Sequence, residues 1–368
     1  MGSIEIPSPC YVLEEEKLIH NLKLLQKVQS LTGIKVLVAL KGFAAYSSFS
    51  LLKKYISGAT ASSLNEVKLI SEEMESKAHV CGVVYFDNEI DEILDKSSHI
   101  TFNSVSEFEK HKGKLSDRHK VALRVNPGFS PVEVDLYNPC TNGTRLGIRK
   151  LDKLPDGVTG LHLHALCEND SYDFENVLRS FNDNFGHLLR DLKWVNFGGG
   201  HLITKKGFDL NHFTNLINEF KKTFKGDVFI EPGSAVGWET GFLKSSVLDL
   251  VEDRGITTAI LDVSFSNHMP DCLEMPYKPT VRSASNSGRY SYRLGGCTCL
   301  AGDFMDGFQF DKPLKPGDEI IFEDMIHYTM VKTTTFNGIN LPSIGTLNKN
   351  GEFLLNKRFG YSDYKSRL

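Results

Sequence analysis

The sequence predicts an α/β barrel joined to an all-β domain: a (β/α)8 barrel with a C-terminal antiparallel β domain. Short apolar runs recur from about residue 33 to about residue 233, and stretches with helical spacing separate most of them. Nearly every run closes on a polar residue or a glycine, as barrel strands do when their C-terminal ends carry chemistry. Beyond about residue 240 the alternation stops and hairpin signals replace it.

In chain order, Pro9-Cys10-Tyr11-Val12-Leu13 reads as a strand, and residues 1–14 are assigned to the second domain. The barrel is assigned residues 15–238. Its strands are expected at Lys35–Leu40, Gly58–Ser62, Ala78–Val84, His99–Asn103, Val121–Val125, Gly160–Leu166, Trp194–Phe197 and Asp227–Ile230. Leu64-Val67-Leu69-Ile70 and Phe213-Leu216-Ile217-Phe220 illustrate the helical spacing between them. About 200 residues is the lower end of the length such a barrel needs. Residues 239–368 are assigned to the β domain. There, Val247–Val251 and Thr257–Val263 flank Asp253-Arg254-Gly255, a hairpin turn signal. Tyr290–Leu294, Glu319–Phe322, Tyr328–Thr335 and Glu352–Leu355 are strand-like.

Composition narrows the function classes. A chain of 368 residues exceeds one typical core, which agrees with two domains. Net charge is -4, with no run of Lys and Arg interleaved with aromatics, so nucleic acid is not an expected partner. No stretch approaches the roughly 18 apolar residues of a membrane helix. No secretory signal is visible, and seven scattered cysteines without a CxxC pair suit reduced thiols in a cytoplasm.

Lys41 ends the run Val36-Leu37-Val38-Ala39-Leu40, where a buried strand meets a loop. A lone cation there is costly, so the amine should shed its proton easily or be tied up chemically. Such a lysine attacks carbonyls and suits an aldehyde cofactor such as pyridoxal 5'-phosphate. Taken alone, it also reads as a lysine snorkelling at a strand end. The cofactor further needs a phosphate cradle, a partner for its pyridine nitrogen and a group flat against its ring. Gly198-Gly199-Gly200, after the seventh strand, would let backbone N–H groups approach an anion, or is a plain turn. Glu231 ends the eighth strand and could keep the pyridine nitrogen protonated, or could pair with Arg124. His162 and His164 share one strand face, as a ring stack or as a metal pair. No further carboxylate and histidine set accompanies them, so no metal is expected. Finally, the loop Gly295-Gly296-Cys297-Thr298-Cys299-Leu300-Ala301-Gly302-Asp303 presents thiols, as working groups or as inert core cysteines.

These stretches together resemble the fold-type III pyridoxal phosphate decarboxylases, which pair an alanine-racemase-like barrel with a β domain. Within them the chain most resembles the carboxynorspermidine/carboxyspermidine decarboxylase branch. The matching segments are ALKGFA around Lys41, GLHLHALCE at 160–168, NFGGGHLIT at 196–204 and EPGSAVGWETGFL at 231–243. They continue with LDVSFSNHMPDCLEMPYKP at 261–279, YRLGGCTCLAGD at 292–303 and HYTMVKTTTFNGI at 327–339. The resemblance implies that Lys41 is joined to the cofactor, that His164 stacks on its ring and that Glu231 holds its pyridine nitrogen. It implies a phosphate held by Gly199, Gly200 and Tyr328, with Arg124 and Glu66 near the cofactor. Cys299 would return a proton to Cα, and Asp303 would bind a substrate amine. Cys299 and Asp303 would serve the partner's site, so a homodimer with shared active sites is implied. Two positions depart from the pattern. Ser234 stands where relatives acting on ornithine or diaminopimelate often have Arg and this branch usually has Glu. Cys297 replaces a frequent Pro.

The implied reaction is decarboxylation of a small carboxylated polyamine, carboxynorspermidine or carboxyspermidine, to norspermidine or spermidine in polyamine biosynthesis. Asp271, Glu274, Asp303 and Asp306 are acids placed to select a cationic tail, and Asp271, Glu274 and Asp303 are taken as substrate-binding. Diaminopimelate or another basic amino acid is the alternative substrate. A racemase, a non-catalytic binding homologue and a metal-dependent barrel hydrolase are the remaining readings.

Overall fold

A computed structural model describes residues 5–275 and 277–368. The chain divides into two compact units: Asn21–Val236, and Met1–His20 with Gly237–Leu368. The first four residues of the N-terminal segment, and Pro276 of the HMPDCLEMPY stretch, lie outside the described residues.

β1 (Cys10–Glu14) belongs to the second unit. The barrel unit closes eight parallel strands: β2 (Lys35–Ala39), β3 (Gly58–Ala61), β4 (Ala78–Cys81), β5 (Ser97–Phe102), β6 (Lys120–Arg124), β7 (Val158–His162), β8 (Trp194–Asn196) and β9 (Asp227–Ile230). β9 pairs back onto β2, with Lys35 opposite Phe229. The eight expected strands are present, but several stop earlier than expected. Leu163, Ala165 and Leu166 leave their strand but stay buried in the loop that follows it, whereas Val83 and Val84 leave theirs and are exposed.

The barrel interior is filled in layers set by the two-residue strand period. Near the floor, Leu37, Ala122, Trp194 and Phe229 form one apolar cluster. His79 and His99 stack there at 3.7 Å between ring centres, and His99 meets the Trp194 edge at 4.9 Å. Gly160 makes room for Trp194, since a Cβ there would lie 2.2 Å from the indole. Two residues further along each strand come Cys81, Thr101, Arg124, His162, Asn196 and Glu231. Two further again come Lys41 and His164. The outward residues, such as Val36, Val38, Leu161 and Val195, are fully buried beneath the helices.

The helices form for local reasons. In Ser171–Phe185, Phe174, Val177, Leu178, Phe181 and Phe185 share the buried face, and Asp170 accepts from the N–H groups of Tyr172 and Asp173, both at 2.9 Å. Leu210–Thr223 repeats the pattern, with Asp209 capping and Phe213, Ile217 and Phe220 buried. After β3 and β5 the same device recurs. Ser63 and Ser104 cap the next helices, while Glu66 and Glu107 reach back to the N–H groups of Ser62 at 2.6 Å and Asn103 at 3.1 Å.

The second unit is built on β10 (Gly241–Asp253), β11 (Ile256–Leu261), β12 (Tyr290–Gly295), β13 (Phe304–Phe310), β14 (Glu319–Glu323), β15 (Ser343–Leu347) and β16 (Phe353–Lys357). The strand order is β13-β12-β11-β10-β1-β15-β16, with β14 also on β10. Most pairs are antiparallel, while β1 with β15 and β11 with β12 run parallel. The β10–β11 hairpin turns at Arg254 and Gly255, whose φ values of 49° and 81° suit the twist of the strands. One expected strand is corrected. Tyr328–Val331 is a helical turn, closed by Lys332 N donating to Tyr328 O at 3.1 Å. Its β-branched and aromatic composition is overridden by tertiary bonds, including Thr329 Oγ1 to Asp271 Oδ2 at 2.8 Å. β13 and β15 were not anticipated, since Gly307 and Gly345 interrupt their apolar pattern.

Candidate active site at the barrel mouth

Lys41 follows Leu37 and Ala39 on the inward face of the first barrel strand, so its chain rises into the mouth. Lys41 is exposed as a residue, and its amine stands among polar groups. Burial of the amine, reinforced by the Arg124 guanidinium, holds Lys41 below the usual ammonium range against the pull of Glu231. The nitrogen lies 3.4 Å from His164 Nε2. His164 Nδ1 accepts the N–H of Gly199 at 3.3 Å, and burial with nearby Lys41 keeps this ring neutral. The bond at Nδ1 puts the ring proton on Nε2, facing the Lys41 amine.

His162 has a different task. Its Nδ1 meets Thr101 Oγ1 at 3.4 Å, and its Nε2 lies 3.7 Å from Glu231 Oε2. Burial, with Arg124 and Lys41, keeps it neutral, so the Glu231 contact is not an ion pair. Glu231 is 8% exposed and accepts from Asn196 Nδ2 at 2.7 Å. Burial raises its carboxyl above the usual range, while the Asn196 bond, Lys41, Thr60 and Arg124 pull it down. Glu66 is also raised by burial and faces Lys41. Among the described residues, no three of His, Cys, Asp and Glu gather as a metal site.

The glycine triplet is held by close backbone approaches. A Cβ at Gly198 would lie 2.4 Å from Leu163 O, at Gly199 2.4 Å from Glu231 O, and at Gly200 2.2 Å from Leu166 O. No larger side chain fits at any of the three. Gly198 and Gly200 also have φ values of 65° and 92°.

These groups fit pyridoxal phosphate. The amine is easily made nucleophilic, a neutral imidazole lies beside it, and a buried carboxylate lacks a full cationic partner. The backbone cradle beside them admits no Cβ. The second unit's groups form a separate constellation. Cys299 is exposed on its loop, its N–H held by Asn337 Oδ1 at 2.9 Å. Cys297 is partly buried, and burial raises its thiol. Asp303 is 4% exposed, and its two oxygens accept four bonds: Ser264 Oγ at 3.0 Å, Ser266 N at 3.0 Å, Thr298 N at 3.3 Å and Thr298 Oγ1 at 2.5 Å. That fills a carboxylate's accepting capacity. Asp271 is 6% exposed. Its Oδ2 accepts from Tyr277 and Thr329, both at 2.8 Å, while its Oδ1 is buried without a partner among the described residues. Glu274 pairs with Lys332, and Asp306 takes Arg293 in a two-pronged contact of 2.7 and 3.0 Å. Tyr328, half-buried, opens the turn 328–331.

Sequence reasoning missed Asn196, Cys81, Cys167 and Glu168. Asn196 was findable, since it follows Trp194 by two on an inward face. Cys81 and Cys167 neighbour Lys41, and burial raises both thiols to about 11.

Residues 10–326 match the family model described as pyridoxal-dependent decarboxylase, C-terminal sheet domain. The carboxyaminopropylagmatine decarboxylase of Synechocystis sp. is 48% identical over 370 residues, 99% of this chain and 96% of the relative. The carboxynorspermidine/carboxyspermidine decarboxylase of Campylobacter jejuni is 43% identical over 99% of both chains. A crystal structure of the C. jejuni carboxynorspermidine decarboxylase complexed with norspermidine superposes with a TM-score of 0.91, at 41% identity, over 99% of this chain and 100% of that one. No helix of the described residues is long and apolar enough to cross a membrane. With a lysine, a neutral imidazole and a buried carboxylate at the mouth of its barrel, the chain belongs to the pyridoxal-dependent decarboxylases, in the branch of the carboxynorspermidine/carboxyspermidine decarboxylases, and is a carboxy-lyase.

Proposed function

We propose that this chain binds pyridoxal 5'-phosphate at the barrel mouth and decarboxylates a carboxylated polyamine of the carboxynorspermidine/carboxyspermidine type. The observation that carries the reading is the Lys41–His164–Gly199 chain of contacts standing above buried Glu231. When bound, the cofactor supplies an electron sink for the pair left by the departing carboxylate. Lys41 would hold the cofactor through its amine. His164, fixed in one tautomer by Gly199, presents a flat neutral face. Glu231, oriented by Asn196, keeps a proton on the pyridine nitrogen. Gly200 and its neighbours take the phosphate, with Tyr328 as a further phosphate ligand. Arg124 contributes fixed positive charge beside Lys41.

We assign the return of a proton to Cα to Cys299, the exposed thiol of its loop. Of the acids expected at the substrate, Asp271 keeps one oxygen without a partner, which supports it as the anchor for a tail cation. Glu274 would join it by exchanging Lys332 for substrate. Asp303, whose oxygens are all engaged, is assigned to holding the Cys299 loop. The reading includes a homodimer in which Cys299 of one copy serves Lys41 of the other, and a cytoplasmic setting, supported by seven free cysteines.

A second substrate has a specific observation behind it. The 48% identical relative is named for carboxyaminopropylagmatine, whose tail ends in a guanidinium. Carboxylates select such a fork through paired hydrogen bonds. The test is turnover of carboxynorspermidine, carboxyspermidine, carboxyaminopropylagmatine and diaminopimelate side by side with added cofactor. Activity confined to the carboxylated polyamines supports the reading, and the preferred tail chooses between the two substrates. Activity on diaminopimelate alone overturns it.

A further inference from the structure

Ser234 is the position where the phosphate cradle lacks a cation, and its hydroxyl is already engaged. It donates to Glu168 Oε1 at 3.1 Å. The two residues come from opposite flanks of the glycine loop. On one flank, a Cβ at Gly199 would press on Glu231 O, and Thr204 Oγ1 donates to Ala235 O at 2.6 Å. On the other, a Cβ at Gly200 would press on Leu166 O, Asn169 N donates to Gly200 O at 2.8 Å, and Leu202 N donates to Asn169 O at 3.1 Å. The Ser234–Glu168 bond therefore spans the loop from flank to flank. Asn169 anchors the Glu168 side, accepting from Cys167 N at 2.7 Å and donating to Asp173 at 2.8 Å.

A carboxylate in this place conflicts with the cofactor assigned to it. A phosphate dianion on the glycine N–H groups would stand beside Glu168, and although this carboxylate is exposed, like charges at such short range still repel. Ser234 has one hydroxyl proton and cannot give it to both anions. We propose that Glu168 is a gate on the phosphate cradle: it holds the Ser234 hydroxyl while the cradle is free, and releases it to the incoming phosphate. Glu168 thereby lowers cofactor affinity, and Ser234 is the donor that replaces the absent cation. The proposal rests on the reading that pyridoxal phosphate binds here.

The test compares pyridoxal phosphate with pyridoxal, which lacks the phosphate, by titrating each into the full chain and reading the visible absorbance. Glu168→Gln removes the charge, and is expected to tighten pyridoxal phosphate binding by about tenfold while leaving pyridoxal unchanged. Glu168→Ala should tighten it as well, and serves if the Gln variant does not fold. Ser234→Ala should weaken pyridoxal phosphate several-fold, in the native background and in Glu168→Gln alike. Inorganic phosphate should compete better against pyridoxal phosphate in Glu168→Gln than in the native chain. Unchanged or weaker pyridoxal phosphate binding in both Glu168 variants overturns the gate. Failure of the native chain to bind either ligand removes the cofactor reading itself, and the gate with it.

Discussion

The barrel mouth and the Cys299 loop each bury a carboxylate, and the two are treated in opposite ways. Asp303 is given donors for all its accepting sites, from Ser264, Ser266 and Thr298. Glu231 is pushed toward its neutral form by burial, and its neighbour Lys41 is pushed toward the free amine. A fully bonded buried charge fixes a loop, whereas one short of partners is poised to act on something else. The same contrast separates His162, turned toward Thr101 and Glu231, from His164, turned toward Lys41.

The contrast is most easily broken at Lys41. Lys41→Ala should abolish visible cofactor absorbance and lower kcat by at least ~10^4-fold, because it removes the amine that would hold the cofactor. Retained absorbance would mean the cofactor is joined elsewhere. Gly199→Ala comes next. Its new methyl would meet the Glu231 backbone oxygen at 2.4 Å, so the cradle and the Glu231 backbone must part. Cofactor affinity should fall by about 10^2-fold, since displacements near 1 Å at a site cost that much. Equilibrium dialysis would show whether Gly199 and Glu231 are coupled in this way.

On the other side of the comparison, Cys299→Ala should keep the absorbance and lower kcat on the order of 10^2-fold, the usual worth of a positioned proton donor. Normal turnover would remove its role. Asp303→Asn tests whether a saturated carboxylate acts through its loop. It replaces charge-assisted bonds with weaker ones and turns one acceptor into a donor facing donors. Thermal stability should drop and kcat should fall about tenfold, with KM for the polyamine nearly unchanged. A selective rise in KM would return Asp303 to the substrate.

The barrel was legible because its rule is short-ranged. Residues two apart share a face, so Leu37, Ala39 and Lys41 could be aligned from sequence, as could Gly160, His162 and His164. Glu231, two beyond Phe229 at the end of the eighth barrel strand, could be placed by the same count. What escaped needed three dimensions. Ser234 and Glu168 are 66 residues apart, and nothing in either segment foretells their bond. The GGCTCLAGD spacing shows a tight loop but not that Asp303 folds back to close it. Tyr328–Val331 has strand composition, yet Asp271 and the preceding loop hold it as a helical turn. The acids around Asp271 could be counted but not sorted, because Lys332 and Arg293 reach Glu274 and Asp306 from elsewhere in the fold.

The smallest expected effect concerns a histidine that neither region uses. His201 follows the glycine triplet, is 1% exposed, and has both ring nitrogens buried without partners among the described residues. It packs edge-on against Phe174 at 4.7 Å and Phe213 at 5.6 Å. Burial alone depresses it to about 3, so the folded chain refuses a proton that the unfolded chain accepts near 6.5. A depressed histidine contributes stability at neutral pH that is lost as pH falls from about 6.5 toward about 3. His201→Leu removes the titrating group at similar volume and should change stability at pH 7 by only about 1 kcal/mol. On acidification to pH 4.5 the variant should lose less stability than the native chain, as read by the urea midpoint at the two pH values. An equal loss in both would mean that His201 takes its proton without unfolding.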